Sequence, residues 1–349
     1  MPWSAPMPCW RRAGTTSARR PGAVPGPPDS PRPLVPGRLR RDARLYCGYR
    51  TPGGQFPARP VAGVPALTHA QDYGPVYCVN IRMMQNKSES GWQVHADAVG
   101  PLDAGQVARF HAAGYLVVPR LFDAGEVADI RRWTDEVQGW PEVAGRHMMY
   151  FAHPAGGQRI LNRMENLLPW HDGFRRLATG EKLQGACGQL FDGPAVLFKD
   201  KINFKLPGAG GFEPHQDVQA GWSRYASLHI TALVSVDHAT IANGCLEMAA
   251  DFGGGQALIG SEWEPLGAAE LAGLHWRHIE AEPGDVVFFD SFIPHRSAPN
   301  HTADARRVLY YTYNRASEGD HLVRYYADKR RSYPPDIERE AGREYRYRV

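Results

Sequence analysis

The sequence predicts a mainly β fold, a jelly roll with flanking helices. From Ala195 onward, short runs rich in β-branched and aromatic residues are separated by turns that contain proline, glycine or asparagine. Many short strands of this kind are typical of an antiparallel sandwich or barrel rather than of a parallel βαβ fold. The preceding residues, from about 101 to 190, carry helix caps and helical periodicity. We therefore expect a helical layer that covers one face of a sheet.

The predicted elements follow in order along the chain. Asp103 is expected to cap a first helix that Gly114 ends, and a second helix begins after a cap at Asp123. A short strand over Tyr115–Val118 separates them, and a third helix is predicted over residues 173–190. The later strands are predicted over residues 195–206, 227–236, 245–249, 275–281, 285–290 and 306–314.

Bulk composition limits the partners of the chain. A net charge of +3 over 349 residues is too small to indicate nucleic-acid binding. No apolar run reaches the roughly eighteen residues that a membrane span requires, so we expect no membrane partner. The five cysteines lack CxxC spacing, which is typical of free thiols in a reducing compartment. We expect a cytoplasmic protein that acts on a small molecule, and its oligomeric state is open.

The amino-terminal segment differs from the rest. Residues 1–66 hold fourteen of the 29 prolines, and eleven arginines stand there against two acidic residues. Such a segment buries too little apolar surface to fold, so a disordered Pro/Arg-rich extension is predicted over residues 1–90. A targeting segment, a basic tail and a start codon upstream of the true one are the alternatives. The folded domain is predicted over residues 95–330, followed by a charged tail over residues 331–349.

Three side chains suggest a metal site. His215 and Asp217, in the sequence HQD, are two residues apart and therefore point to the same side of a strand end. His295 follows the strand predicted over residues 285–290. Two imidazoles and one carboxylate on one face of a metal, with the other positions open, are the ligands of mononuclear iron(II) oxygenases. We predict that these three residues are the catalytic iron(II) ligands.

Arg306 lies eleven residues beyond His295 and is the predicted anchor of a cosubstrate. A guanidinium binds a carboxylate through two parallel hydrogen bonds, as the distal carboxylate of 2-oxoglutarate requires. Strand alternation places Arg306, Val308 and Tyr310 on one face and Arg307 on the other, where a solvated surface charge is expected.

Together these motifs resemble the phytanoyl-CoA dioxygenase family over residues 102–328. They are FKDKINFKLPGAGGFEPHQD, NGCLEM and EPGDVVFFDSFIPHRSAPNHTADARRVLYYTYN. The resemblance implies a double-stranded β-helix core of the cupin-like kind and a hydroxylase that uses Fe(II), O2 and 2-oxoglutarate, with ascorbate as reductant, and releases succinate and CO2. It also implies that Ser297 and Asn203 contact 2-oxoglutarate.

The substrate is predicted from charged and aromatic side chains near the barrel mouth. The residues proposed to contact it are Lys199, Arg163, Glu165, Tyr310 and Arg324. They suit a small zwitterion, in line with a resemblance to the branch that hydroxylates 2-aminoethylphosphonate. Solvent-facing positions for Lys199 and Lys201 at a sheet edge, and surface ion pairs or helix caps for the arginines, are the structural alternatives. An acyl-CoA hydroxylase and a cupin-like metal-binding protein without 2-oxoglutarate are the functional ones.

Overall fold

The computed structural model describes residues 100–153, 159–253 and 255–345, all within the unit Cys78–Val349. The predicted extension over residues 1–90 lies outside the described residues. Among those that are described, no helix is both long and apolar enough to cross a membrane.

Two capped helices open the described part, as predicted. Helix α1 (Ala104–Ala113) and helix α2 (Ala124–Gln138) flank strand β1 (Tyr115–Val118). Asp103 accepts a hydrogen bond from the backbone of Gln106, whose side chain accepts one from Asp103, and α2 begins with the same capping box. Gly114 ends α1 with a φ of 78°, a left-handed conformation in which a glycine is favoured.

The third predicted helix is wrong as one continuous element. Residues 173–190 form helix α3 (Asp172–Ala178), a π-helical turn (Glu181–Gly185) and helix α4 (Ala186–Phe191). Gly180 adopts an extended conformation between them (φ −77°, ψ 160°). Glycine weakens a helix interior because it loses the most conformational freedom on folding, so the break falls there.

Two antiparallel sheets make up the rest of the domain. Their strands are β2 (Met148–Ala152), β3 (Ile160–Glu165), β4 (Ala195–Lys205), β5 (Phe212–His215), β6 (His229–Ser235), β7 (Leu246–Ala249), β8 (Trp276–Ile279), β9 (Val286–Asp290), β10 (His295–Ser297) and β11 (Arg306–Arg315). Two further helices are α5 (Ala268–Leu271) and α6 (Leu322–Ser332). The seven-stranded sheet has the order β1-β9-β6-β11-β4-β3-β2, and the four-stranded sheet has the order β5-β10-β7-β8.

Alternation along the strands separates two hydrophobic layers. Leu309, Ile202 and Phe288 belong to the cluster that packs the large sheet against the helices. Val308 and Phe289 belong to a second cluster, which also contains Met248 and Ile279 of the small sheet. Neighbouring residues thus face opposite layers, as period-two alternation requires. The predicted jelly roll with a helical layer on one face is confirmed.

Strands β2 and β3 were not predicted. The sequence ILNRME of β3 mixes polar and apolar residues without alternation, yet Met164 and Glu165 are both fully buried. The two strands extend the large sheet beyond β4, and their register sets Arg163 opposite Asn203 and Glu165 opposite Lys201. Strand β4 is therefore an interior strand rather than an edge.

The predicted tail over residues 331–349 begins inside α6, which runs through the predicted boundary at residue 330. Beyond the helix, Tyr333 stacks on Tyr150 of β2 with ring centroids 5.4 Å apart. The described first part of this tail therefore contacts the domain.

Candidate active site

Two strands and a turn bring the three predicted metal ligands together. His215 ends β5 and His295 begins β10, and the two residues are direct partners in the antiparallel pairing. Asp217 opens the 3-10 turn Asp217–Ala220 that follows β5. One ligand atom from each residue lies within 4.8 Å of the other two. The three side chains therefore form a compact group at one end of the small sheet.

Hydrogen bonds to carbonyl groups orient both imidazoles. His215 Nδ1 is 2.7 Å from the carbonyl oxygen of Glu213, and His295 Nδ1 is 3.0 Å from that of Ile293. A carbonyl oxygen only accepts, so each Nδ1 carries the proton and each Nε2 keeps its lone pair for a metal. Burial lowers the pKa of His215 to about 3, with His295 as the second cause, so the neutral imidazole prevails near neutral pH. The donor set of two imidazoles and one carboxylate fits iron(II).

The ligands face a cavity of about 1290 Å³ between the sheets and α6. Its lining includes the three ligand residues, cationic residues of β4 and α6, and aromatic residues such as Trp222, Tyr325 and Trp263. Burial raises the pKa of Asp217, but the nearby His295 and Lys201 outweigh burial and lower it. The Asp217 carboxyl group is therefore ionised near neutral pH and available to a metal.

A second polar group surrounds Arg306. This residue is 2% exposed, and its Nε has no hydrogen-bond partner among the described residues. Its direct partner on β4 is Lys205, whose Nζ donates to Ser297 Oγ (2.7 Å) and to the carbonyl oxygens of Ala298 (2.5 Å) and Gly244 (3.2 Å). Burial lowers the pKa of Lys205 to about 7, and the charge of Arg306 adds to this. Two adjacent buried cations of this kind favour an anion between them.

Asn203 and Tyr310 connect this group to the cavity. Both residues line the cavity together with Ser297, whereas Arg306 lies behind them and is not part of the lining. Burial raises the pKa of the Tyr310 hydroxyl, and the nearby Arg306 and Asn203 oppose this shift. Asn203 is 3% exposed, and its Oδ1 has no partner in the part of the chain that the structure describes. A ligand that carries a carboxylate and donors fits this surface.

Two lysines of β4 line the cavity near the metal ligands. Lys199 is 5% exposed, and its Nζ lies 4.8 Å from the Trp222 ring centroid and 5.5 Å from that of Tyr325. Lys201 Nζ lies 4.2 Å from the Tyr310 ring centroid. Neither lysine forms an ion pair with a described carboxylate within 4.0 Å. Burial lowers the pKa of both, that of Lys201 to about 7 with Lys199 as the second cause. The edge-strand interpretation of these lysines is wrong, because β3 pairs with β4.

The predicted pair Arg163 and Glu165 lies beside this cavity and is joined by Lys329 of α6. Glu165 is fully buried, and its carboxylate is 2.9 Å from Arg163 Nε and 3.1 Å from Lys329 Nζ. Burial raises the pKa of Glu165, but Lys329 and Arg163 outweigh burial and hold it at about 2. Of the three, only Lys329 lines the cavity. Arg163 and Glu165 therefore support the wall rather than form its surface.

Two expectations about arginines are wrong. Arg324 lies on the solvent side of α6 with 58% of its side chain exposed, and it stacks over Tyr225 instead of lining the cavity. Arg307 is not a solvated charge: its side chain is 13% exposed and pairs with Asp135 of α2 and with Asp237. Both acids are distant in sequence, so no local pattern indicates the pairing.

Several lining residues were not among the predicted contacts. Lys329 follows Tyr325 by four residues, which places both on one face of α6, so helical periodicity could have indicated it. Lys201 shares the inner face of β4 with Lys199 by alternation. Trp222 begins a single 3-10 turn and Trp263 lies in a loop, and no periodic signal indicates either residue.

Comparison with known proteins gives consistent results. Residues 110–308 match the phytanoyl-CoA dioxygenase family. A 2-aminoethylphosphonate dioxygenase of an uncultured bacterium is 41% identical over 236 residues, which cover 66% of this chain and 89% of that protein. A methylphosphonate hydroxylase of Gimesia maris is 38% identical over 229 residues, covering 65% and 86%.

Solved structures support the fold. EctD from S. alaskensis, in its apoform, aligns with a TM-score of 0.55 and 21% identity over 63% of this chain and 79% of that one. The same protein with 2-oxoglutarate and 5-hydroxyectoine aligns with a TM-score of 0.55 and 20% identity over 63% and 78%. The fold of this chain is therefore shared with EctD.

Proposed function

The chain belongs to the phytanoyl-CoA dioxygenase family and is a dioxygenase, and from that premise we propose that it hydroxylates a small phosphonate with iron(II) and 2-oxoglutarate. The curated relatives are named for 2-aminoethylphosphonate and methylphosphonate. One observation on this chain carries the proposal: Lys199 and Lys201 of one interior strand form no ion pair with any described carboxylate, and both line the cavity beside His215, Asp217 and His295.

Four residues are proposed to hold the metal and the cosubstrate. His215, Asp217 and His295 would hold the iron through two Nε2 atoms and a carboxylate. Arg306 would bind the distal carboxylate of 2-oxoglutarate, with the Ser297 hydroxyl and the side-chain NH2 group of Asn203 as further donors. Bound iron(II) supplies the oxidative chemistry, in which decarboxylation of 2-oxoglutarate to succinate and CO2 is coupled to hydroxylation of a substrate carbon.

The lysines then select the headgroup. A buried ammonium without an anion costs several kcal/mol, and burial lowers the pKa of both lysines for this reason. A phosphonate brings up to two negative charges on three oxygens, so one headgroup can accept hydrogen bonds from both Lys199 and Lys201. Lysine offers rotatable point-charge donors, which suit a tetrahedral anion better than a planar one. Binding would thus neutralise the cationic wall and exclude water from it.

The existing ion pairs leave this positive charge in excess. Glu165 is already occupied by Arg163 and Lys329, and Asp217 belongs to the metal group. The described carboxylates therefore compensate Lys199 and Lys201 only in part: Glu165 and Asp217 raise the pKa of both lysines, but burial outweighs them. If the substrate also carries an amino group, Glu213, Glu264 and Asp328 are the remaining carboxylates of the lining. We take 2-aminoethylphosphonate as the first compound to test.

Substrate-stimulated succinate release tests the proposal. Purified protein with iron(II), ascorbate and 2-oxoglutarate would be offered 2-aminoethylphosphonate, methylphosphonate, β-alanine, taurine and an acyl-CoA ester. We expect the phosphonates to stimulate succinate release and the carboxylate and sulfonate analogues to do so weakly. Stimulation by the acyl-CoA ester alone would overturn the substrate class, and no iron-dependent succinate with any compound would overturn the reaction.

Two lysine variants assign the headgroup contact. Lys199→Met and Lys201→Met should raise the KM for the phosphonate by at least about tenfold, because a buried charge loses its partner. The KM for 2-oxoglutarate should change little. Lys182→Met is the matched control, because Lys182 pairs with Glu126 and does not line the cavity. An unchanged phosphonate KM in both cavity variants would refute the assignment.

A further inference from the structure

The segment over residues 257–266 forms one wall of the cavity and is attached to the metal-binding turn by side-chain amides. Trp263, Glu264 and Pro265 line the cavity. Gln216, between His215 and Asp217, donates from Nε2 to the carbonyl oxygen of Ala257 (2.8 Å) and accepts from the backbone of Ile259 (2.8 Å). Gln216 and Gln219 are both fully buried. The turn and the wall are therefore one hydrogen-bonded unit.

Gln219 forms hydrogen bonds with the chain on both sides of Trp263. Its Nε2 donates to the carbonyl oxygens of Ser261 (2.9 Å) and Glu264 (2.7 Å), on either side of the tryptophan. The backbone N–H of Trp263 donates in turn to the carbonyl oxygen of Gln219 (2.7 Å). Gln219 Oε1 also accepts from the backbone of Gln216 (2.8 Å). One side chain thus fixes the turn with its oxygen and the wall with its nitrogen.

Trp263 is held in a strained conformation. Its φ is 68°, in the left-handed region that a bulky residue rarely adopts. Such strain persists only where the surroundings determine the conformation, and it clusters at functional sites. The ring also packs where Gly221 lacks a side chain, since a Cβ there would lie 2.4 Å from Trp263 Cζ2.

We infer that Gln219 is a positioning residue that holds Trp263 in the cavity wall. There the tryptophan selects substrates by the part of the molecule that lies beyond the headgroup. The inference rests on the proposed function, because it assigns the substrate to this cavity. Gln219 acts through the wall segment and not on the metal: its hydrogen bonds within the described part of the chain include those to Gln216, Ser261, Trp263 and Glu264, and none of these is a proposed metal ligand. Loss of these hydrogen bonds should enlarge the cavity or make its shape less well defined. The residues proposed to bind iron and 2-oxoglutarate should stay in place.

Two variants distinguish a positioning role from a merely structural one. Gln219→Glu keeps the oxygen that accepts from the Gln216 backbone but removes the amide that donates to Ser261 and Glu264. Trp263→Gly removes the ring and relieves the strain, because glycine adopts a positive φ at little cost. A merely structural role predicts a lower melting temperature for each variant with an unchanged KM. A positioning role predicts that Trp263→Gly melts no lower than the wild type and yet binds substrate poorly.

Gln189→Glu is the matched control. Gln189 forms a similar two-ended amide clamp, donating to the Leu102 carbonyl oxygen (2.8 Å) and accepting from the Leu102 backbone (2.9 Å). It does not line the cavity. This control should lose stability without any change in KM.

Two measurements test whether Gln219 positions Trp263. In steady-state assays, Gln219→Glu and Trp263→Gly should raise the phosphonate KM about tenfold and lower the ratio of hydroxylated product to succinate, with an unchanged 2-oxoglutarate KM. In hydrogen exchange without ligands, the Trp263 amide should exchange faster in Gln219→Glu than in the wild type. Wild-type exchange at Trp263 would overturn the positioning role, and so would wild-type KM and product ratio in both variants. A wild-type enzyme inert toward phosphonates would instead overturn the proposed function, while the exchange result still decides whether Gln219 holds the wall.

Discussion

Replacement of Arg306 by lysine tests the cosubstrate site most directly. Arg306 is 2% exposed, burial lowers its pKa, and it forms no ion pair with a carboxylate among the described residues. The distal carboxylate of 2-oxoglutarate would supply that charge through two parallel hydrogen bonds, of which lysine reproduces only a point contact. Losing the bidentate geometry should cost about 1–3 kcal/mol, which corresponds to a rise in the 2-oxoglutarate KM of about 5- to 150-fold.

The assay for Arg306→Lys is the initial rate of succinate release at saturating substrate and varied 2-oxoglutarate, with iron content measured in parallel. Arg307→Lys is the control on the opposite face of the same strand. Because Arg307 pairs with Asp135 and Asp237, that variant should lose about 1 kcal/mol of stability and keep its 2-oxoglutarate KM. If Arg306→Lys keeps a wild-type KM, or if only Arg307→Lys raises it, the assignment of the anchor is wrong.

Three further predictions concern the metal, a buried carboxyl group and the amino-terminal segment. Single alanine variants of His215, Asp217 and His295 should each lose iron binding while the circular dichroism spectrum stays unchanged. Iron binding retained in two of the three variants would contradict the site. Burial raises the pKa of Asp200 from 3.8 to about 6, so its ionisation removes stability as pH rises between those values. Asp200→Asn should therefore gain stability relative to the wild type from pH 4 to pH 7, by up to about 3 kcal/mol in urea denaturation, and a constant difference would refute the linkage. Removal of residues 1–82 should leave activity and melting temperature unchanged, and loss of soluble protein would contradict the predicted extension.

The metal group was predictable because its geometry is local. His215 and Asp217 need only the end of one strand, and His295 needs only a later strand of the same sheet. Alternation along β11 likewise placed Arg306 and Tyr310 on one face, and the observed register with Lys205 and Lys201 agrees with it. Period-two patterns and strand order carry this information without any knowledge of the loops.

The substrate wall was less predictable because it is assembled from distant segments. Strand β3 has no alternating pattern, and its polar residues are buried by pairing with β4 and by Lys329 of α6. Arg324 was expected at the cavity because its segment follows the last strand, but the face of α6 toward the cavity carries Tyr325 and Lys329 instead. Trp263 is placed by hydrogen bonds to Gln219 across more than forty residues of sequence. Contacts between segments so far apart in sequence produce no periodic pattern of residues.

Strand β4 suggests how one cavity distinguishes two anions. Its inner face carries Lys199 and Lys201 at one end and Lys205 at the other, where Arg306 is the cross-strand partner. Charge alone would attract either anion to either end, so the donor geometry must decide. Arg306 offers a planar fork for a carboxylate, whereas Lys199 and Lys201 offer separate ammonium groups for a tetrahedral headgroup. It follows that excess phosphonate should compete with 2-oxoglutarate only weakly in the wild type, and more strongly once Arg306→Lys makes the two ends chemically alike.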